Sequence, residues 1–249
     1  MSTQERNLGA IILAAGKGKR MESKTVNKVA LPLGGKPMIL HTAELLREVD
    51  VSPIVIVIGF AKDSVKGLFN GDVLFAEQKK RLGTAHAVGT ALKELPQDVE
   101  DVLILQGDDS AFYGQDTIRR LLEAHIERTA AFTFLTIDVD NPQGLGRIVR
   151  DSKGNLQGIV EEKDATKEQK AISEINPACY VANVNFLKKY LPKVRKSPVT
   201  GEYYLTSLID IGIRNNEKIQ TVRGGKIHWR GVNTKEEFAE AEKLITKIK

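Results

Sequence analysis

The sequence predicts an α/β fold: a mostly parallel sheet covered by helices, then a smaller β-rich lobe and a closing helix. Strand-length apolar runs ("GAIILAA", "VSPIVIVIGF") alternate with helical-period segments through the first half of the 249 residues, which is the pattern of consecutive βαβ units. After Asn141 the texture changes to alternating segments around a turn signal. The C-terminal stretch opens on a helix-capping pattern.

Strands are expected at Leu8 to Ala15, Pro53 to Ile58, Asp72 to Phe75, Asp101 to Gln106 and Ala131 to Ile137, each a short apolar or β-branched run. Between them, helical spacing of apolar residues marks Pro37 to Glu48, Lys62 to Leu68, Thr84 to Leu95 and Gln115 to Arg128. Such alternation makes the strands parallel and puts a ligand at their carboxyl ends, where the loop Gly16 to Ala30 also lies. In "GRIVRDSKGNLQGIVEEKD" the turn Ser152-Lys153-Gly154-Asn155 separates two alternating segments and predicts a β-hairpin in a smaller lobe facing the first. "VNTKEEFAEAEKLITKIK" pairs Thr234 with Glu237 as a capping box ahead of an amphipathic helix. One domain over 1–249 is expected, with a first half to about 140, a second over about 141–233 and the closing helix over 234–249. No repeat or low-complexity tract interrupts it.

A chain that is 41% hydrophobic and 28% charged can bury a sizeable core. The single Cys179 excludes an internal disulfide, no Cys/His cluster offers a structural metal site, and a reducing cytoplasm is the expected compartment. "MSTQERN" lacks a signal-peptide layout, and the apolar runs are too short for a membrane span, so no membrane partner is expected. The formal charge of +5 is spread among acidic residues, and aromatics are only 6%. That distribution favours steering of a small polyanionic substrate over nucleic-acid binding.

The segment Leu13-Ala14-Ala15-Gly16-Lys17-Gly18-Lys19-Arg20-Met21, with Lys28 beyond it, reads as a buried strand entering a cationic glycine loop. Gly16 and Gly18 let backbone N–H groups converge on an anion while Lys17, Lys19, Arg20 and Lys28 supply charge. It is not a P-loop, because Gly16-Lys17 is followed by Gly18 and no hydroxyl stands ready for a metal. It is not a dinucleotide fingerprint either, because Met21 stands where close helix packing needs a small residue. By itself the loop could also be a surface turn carrying lysines.

The pattern resembles the L-A-A-G-x-G-x-R-M signature of sugar-phosphate nucleotidyltransferases, with Lys28 in "NKVALPLGGKPM" as the second basic residue. "AEQ" then "LGTAHAV", "GDD", "GLGRIVRD", "GIVEEKDAT", "EINPACYVAN", "GEYYLT" and "GVNT" follow in the order of one member, the uridyltransferase domain of the bifunctional N-acetylglucosamine-1-phosphate uridyltransferase/acetyltransferase. The resemblance covers about residues 8 to 245 and implies the nucleotidyltransferase α/β/α sandwich, Rossmann-like, with a small β-rich sugar-binding lobe. It implies transfer of a uridylyl group from UTP to N-acetylglucosamine 1-phosphate with release of pyrophosphate. The attacking phosphate oxygen is already ionised, so the reaction asks for charge neutralisation and in-line positioning and needs no general base.

In such a site the resemblance makes Arg20 and Lys28 the catalytic cations, with Lys28 near the α-phosphate. Leu13, Ala14, Ala15, Gly16, Gly18, Gln78, Gly83 and Thr84 become the nucleotide-binding set. Asp108 and Asn233 are implied as ligands of Mg2+, for which Mn2+ or Co2+ can substitute; Asp108 alone would also suit a turn or helix N-cap. For the sugar the matching positions are Gly146, Glu161, Asn176, Tyr204 and Thr206, with Lys163 reaching the sugar phosphate or serving as a surface lysine. A one-residue slip would exchange Glu161 for Glu162 on the opposite face of the strand.

Several positions depart from the family pattern or stay outside the chemistry. Lys79-Lys80-Arg81 are inserted after Gln78, either as an exposed bulge or as added cation, and leave uridine against thymidine open. Asp109 replaces the usual Val or Thr and is either a helper through water or a loop residue. Lys17 and Lys19 suit solvated charges, His86 a structural hydrogen bond, and Cys179 the core. The chain ends at Lys249 where the bifunctional enzymes continue into a hexapeptide-repeat acetyltransferase, so no acetyltransferase activity and a monomer or weak dimer are expected. Two other readings stay open: the same chemistry with another pair, such as glucose 1-phosphate with UTP or dTTP, and a silent sugar-nucleotide-binding regulator.

Overall fold

A computed structural model of the chain describes residues 6–18, 21, 25–108, 112–225, 229 and 231–248. The chain opens with β1 (Leu8–Ala14), the short hairpin β2 (Pro32–Leu33) and β3 (Lys36–Pro37), α1 (Met38–Glu48), β4 (Ile54–Ile58), α2 (Lys62–Lys66) and β5 (Leu74–Glu77). It continues through α3 (Thr84–Ala91), β6 (Asp101–Gln106), α4 (Gln115–Glu127) and β7 (Phe132–Asp138). The second half holds β8 (Gly146–Arg150), β9 (Leu156–Val160), α5 (Lys167–Lys170), β10 (Glu174–Asn176), β11 (Tyr180–Asn183), α6 (Val184–Tyr190), α7 (Ser207–Arg214), β12 (Ile219–Gly225) and α8 (Lys235–Ile248). Every expected strand and helix of the first half is present, with ends shifted by a few residues where helices fray or strands start late.

The strands join one mixed sheet in the order β5-β4-β1-β6-β11-β7-β10-β8-β9, with β12 also on β7. β5, β4, β1 and β6 are parallel neighbours, as βαβ crossovers require. Alternate residues of β1 face opposite ways. Ala10, Ile12 and Ala14 pack with Ile39, Leu46, Ile118 and Leu121 of α1 and α4. Ile11 and Leu13 pack with Ala85, Val88, Leu187 and Leu208 of α3, α6 and α7. The result is a three-layer α/β/α sandwich whose central strands are apolar on both faces.

The β-rich part is a branch of this sheet. β12 runs along Phe132 to Ile137 of β7, so the partners on the other edge must share what remains. There β11 pairs with Phe132 to Phe134 and β10 with Ile137 and Asp138. β10 and β11 are thus two pieces of one antiparallel strand, interrupted near Ala178, which has φ +59°. β10 hands its free edge to β8, and β8 to β9, the predicted hairpin. This branch leaves from the carboxyl half of β7, so the lobe and the parallel strand ends flank the same region.

The closing helix α8 packs Ala241 and Ile245 against Leu33, Met38 and Val232. Its capping box forms as the sequence predicts. Glu237 N–H donates to Thr234 Oγ1 (3.1 Å), and the Glu237 carboxylate accepts from Thr234 N (3.0 Å) and Asn233 N (2.7 Å), which fixes the backbone of Asn233. Among the described residues no helix is long and apolar enough to cross a membrane.

Candidate active site

β1 delivers the chain into the glycine loop, and Asn27 holds that loop shut. Its side chain is 1% exposed. Nδ2 donates to Ala14 O (2.8 Å), Phe60 O (2.7 Å) and, at longer range, Gly16 O (3.4 Å), while Oδ1 accepts from Val29 N (3.2 Å). Gly18 has φ +56°, and a Cβ there would lie 3.0 Å from the Cβ of Lys28, so the loop and the second basic position are in direct contact.

Lys28 is where three distant segments meet. Its Nζ pairs with the Asp108 carboxylate just beyond β6, donates to Val232 O, and lies 3.3 Å from Asn233 Oδ1 at the start of α8. A carboxylate, a carboxamide oxygen and a carbonyl therefore converge on a single cation position. Arg20 and Asp109, singled out in the sequence, lie outside the described residues.

Around this point runs a cleft. One cavity of about 410 Å³ is lined by Leu13, Ala14, Gly16, Gly18, Asn27, Lys28, Thr84, Gln106, Asp108, Glu202 and Asn233. A second of about 600 Å³ is lined by Leu13, Ala15, Gly16, Gly18, Gln78, Gly83, Thr84, Gln106, Lys163 and Glu202, among others. The shared residues make them one continuous groove across the carboxyl ends of β1 and β6, and it contains every sequence-predicted nucleotide residue.

The far end of the groove is built by lacing "LGTAHAV" to "GEYYLT". Tyr203 N donates to Leu82 O (2.8 Å), Ala85 N to Tyr203 O (3.0 Å) and Leu205 N to Thr84 Oγ1 (2.9 Å). Gly83 has φ +108°, and a Cβ would meet Tyr203 O at 2.5 Å, so only glycine fits beneath that backbone. All three residues of the insert are exposed, and Arg81 also lines the groove. Lys163 and Lys17 line it too, and Lys17 remains exposed, in line with its reading as a solvated charge.

The sugar candidates gather at the branch. Gly146 stands opposite Asn176 on β10, and the β8–β9 register, Arg147 to Val160, brings Glu161 to its other side. A Cβ at Gly146 would lie 3.4 Å from Glu161 Oε2. Glu161 Oε1 accepts from Thr206 Oγ1 at the head of α7 (2.8 Å). Asn176 donates to Tyr180 Oη (2.6 Å) and accepts from Ala178 N (3.1 Å). Glu162 turns the other way to Arg147 (2.7 Å) and Gly144 N (3.1 Å), so the two adjacent glutamates are distinct in role.

Tyr204 and Thr206 line a further cavity of about 380 Å³ with Glu161, Asp164 and Lys196. The segments Glu161 to Lys163 and Glu202 to Tyr204 each run from that cavity to the groove.

Burial pushes the Glu161 carboxyl above the usual range, against the opposing Thr206 hydrogen bond. A group whose folded pKa is raised favours folding at low pH and costs stability once it is charged. Glu161→Gln is therefore expected to raise the Tm at pH 7. The gain should shrink as the pH falls through the raised pKa of Glu161. The same variant should raise the KM for the sugar phosphate about tenfold. Thermal melts at several pH values with parallel kinetics check both; a Tm that falls at pH 7 would contradict the burial argument.

Asn27, Gln106 and Glu202 join the site without a role assigned to them from the sequence. Asn27 adjoins Lys28, Gln106 is the polar end of an apolar strand, and Glu202 belongs to "GEYYLT". His86 does form a structural hydrogen bond, to Gln78 (2.9 Å), and Cys179 is fully buried.

The glycine loop leads into this groove, and residues 9–248 match the nucleotidyl transferase family. The chain belongs to that family. It is 42% identical over 238 residues to the bifunctional protein GlmU of Caldicellulosiruptor saccharolyticus, across 94% of this chain and 51% of that protein. It is 40% identical over 240 residues to the GlmU of Clostridioides difficile (96% and 52%) and 38% over 244 residues to that of Desulfotalea psychrophila (97% and 71%). The chain thus spans about half the length of the first two relatives. A Bacillus anthracis protein named a glucose-1-phosphate thymidylyltransferase, solved with sucrose, shares the fold with a TM-score of 0.79 at 24% identity, over 97% of this chain and 96% of that one.

Proposed function

We propose that this chain transfers a uridylyl group from UTP to N-acetylglucosamine 1-phosphate, giving the UDP-sugar and pyrophosphate. The observation that carries the reading is the meeting of Lys28, Asp108 and Asn233 beside the glycine loop. The triphosphate lies along Leu13 to Gly18, with Arg20 and Lys28 neutralising it and Lys28 nearest the α-phosphate. Gln78, Gly83 and Thr84 take the base. Gly146 through its N–H, Glu161, Asn176, Tyr204 and Thr206 hold the sugar, and Lys163 reaches between the two substrates to the sugar phosphate.

The donor set at the cation position fits a divalent ion. Two side-chain oxygens, a carboxylate and a carboxamide, already point at one positive charge, and hard oxygen donors suit Mg2+, with Mn2+ or Co2+ as alternatives. Bound by Asp108 and Asn233, the ion would supply charge neutralisation at the phosphates. The protein supplies the rest by positioning. Asn27 keeps the loop N–H groups aimed, and Asp108 and Asn233 orient the Lys28 ammonium. No residue has to remove a proton, because the attacking phosphate oxygen is already ionised.

One observation favours a second reading, with glucose 1-phosphate and UTP or dTTP: Arg81, from the insert, enters the wall of the groove beside Gln78. Pyrophosphate release with Mg2+ across UTP, dTTP, CTP, ATP and GTP against the 1-phosphates of N-acetylglucosamine, glucosamine, glucose, galactose and mannose separates the two. Preference for UTP with N-acetylglucosamine 1-phosphate is expected. Preference for another pair would replace the substrates and keep the chemistry, and silence throughout would favour a binding protein.

A further inference from the structure

Gln78 is 4% exposed, and its carboxamide is held at one end only. The amide nitrogen lies 3.0 Å from Gly83 O and 2.9 Å from His86 Nδ1. A backbone carbonyl can only accept, so the atom facing Gly83 is the NH2 group. Because that group has no lone pair to offer, His86 Nδ1 must be the acceptor, which makes His86 the neutral ring protonated at Nε2. Both amide hydrogens of Gln78 are then used inside the protein, and Oε1, which has no hydrogen bond among the described residues, is left for whatever enters the groove that Gln78 lines.

We propose that His86 is a positioning residue that locks Gln78 with its carbonyl oxygen toward the groove, so that the site takes a base presenting a ring N–H between two carbonyls, uracil or thymine, and rejects cytosine. The inference rests on the nucleotidyl-transfer reading above. Cytosine puts a lone pair where uracil has its N–H, so the fixed carbonyl oxygen of the nearly buried Gln78 meets another acceptor and the pair repels where uracil would make a hydrogen bond. If His86 did not accept, rotating the carboxamide by half a turn would offer NH2 to the groove and suit cytosine instead. Gly83 alone would oppose that turn, through a single hydrogen bond. His86 therefore sets the selectivity without touching the ligand.

The test is calorimetric titration of UTP and CTP with Mg2+, which needs no knowledge of the sugar. Wild-type protein should bind UTP at least about 100-fold more tightly than CTP. His86→Phe removes the acceptor and should shrink that ratio at least tenfold. In His86→Asn, Oδ1 can stand where Nδ1 stood and should keep most of the preference, whereas His86→Gln carries its oxygen further out and should lose it. The Asn and Gln pair decides the question if the Phe variant does not fold. Selectivity for UTP that neither His86→Phe nor His86→Gln moves would overturn the positioning role and leave the nucleotidyltransferase reading standing. Equal affinity of the wild type for UTP and CTP would overturn the positioning role by itself, and failure to bind either nucleotide would overturn both.

Discussion

Asp108→Ala is expected to lower turnover by about 10²–10³-fold while changing the KM for the triphosphate far less. The argument rests on where charge builds up. As the α-phosphate passes through its in-line transition state, negative charge grows on its oxygens and on the departing pyrophosphate, and only groups held in advance near those atoms stabilise it without reorganising. Lys28 is held by Asp108, Val232 O and Asn233, the last two more than 200 residues away along the chain. Removing Asp108 takes away the charged partner that orients the ammonium together with one of the two side-chain oxygens proposed for the metal. Lys28→Met, which keeps the stem and deletes the charge, should cost a similar factor. The double variant should be little worse than either single one, because residues acting as a unit are not additive. Steady-state kinetics of pyrophosphate release read all three, and an Asp108→Ala protein with wild-type turnover would remove the basis of the mechanism.

The parts of this site legible in the sequence are those written in local pattern. The strand of residues 8–14 and its glycine loop announce themselves by an apolar run ending in Gly16 and Gly18, and the Thr234–Glu237 cap by its spacing alone. Lys28, Asp108 and Asn233 could be named from motifs, yet nothing local says that they touch. That contact depends on the segment ahead of α8 returning beside Lys28 and the end of β6. The branching of the second half was hidden for the same reason: it arises because two short strands share one edge of β7, a matter of long-range register broken at Ala178. Arg81 shows the limit most plainly, because the sequence leaves the insert after Gln78 as a bulge or as added cation, and only the folded backbone brings this exposed arginine to the groove. The Glu161 and Glu162 pair could be separated only once the register with Gly146 and Arg147 was known.

Asn27 was not assigned a role in the sequence, although it adjoins Lys28, and its replacement should have the second large effect. Asn27→Ala removes the donor to Ala14 O and Phe60 O and the acceptor for Val29 N. Since the side chain is almost wholly buried, those backbone groups would lose their partner where water does not readily replace it. Leaving buried backbone groups unsatisfied costs about 1–3 kcal/mol each before relaxation, so a net loss of about 3 kcal/mol, roughly 6–12 °C in Tm, is expected. Asn27→Asp should be worse, although it is the same size. A carboxylate cannot donate, and it would turn negative oxygen toward the carbonyls that Nδ2 now satisfies. That ordering, Asp below Ala, distinguishes a hydrogen-bond role from a space-filling one, which would rank them the other way. The variants should also lose activity while still folded, because the loop N–H groups and Lys28 are aimed by the same residue: about tenfold in kcat/KM for the triphosphate in Asn27→Ala. Melting curves and kinetics on one set of preparations suffice to check it. An Asn27→Ala protein that melts with the wild type would show that the loop holds its shape without this side chain, and the positioning of Lys28 would then have to come from Asp108 and α8 alone.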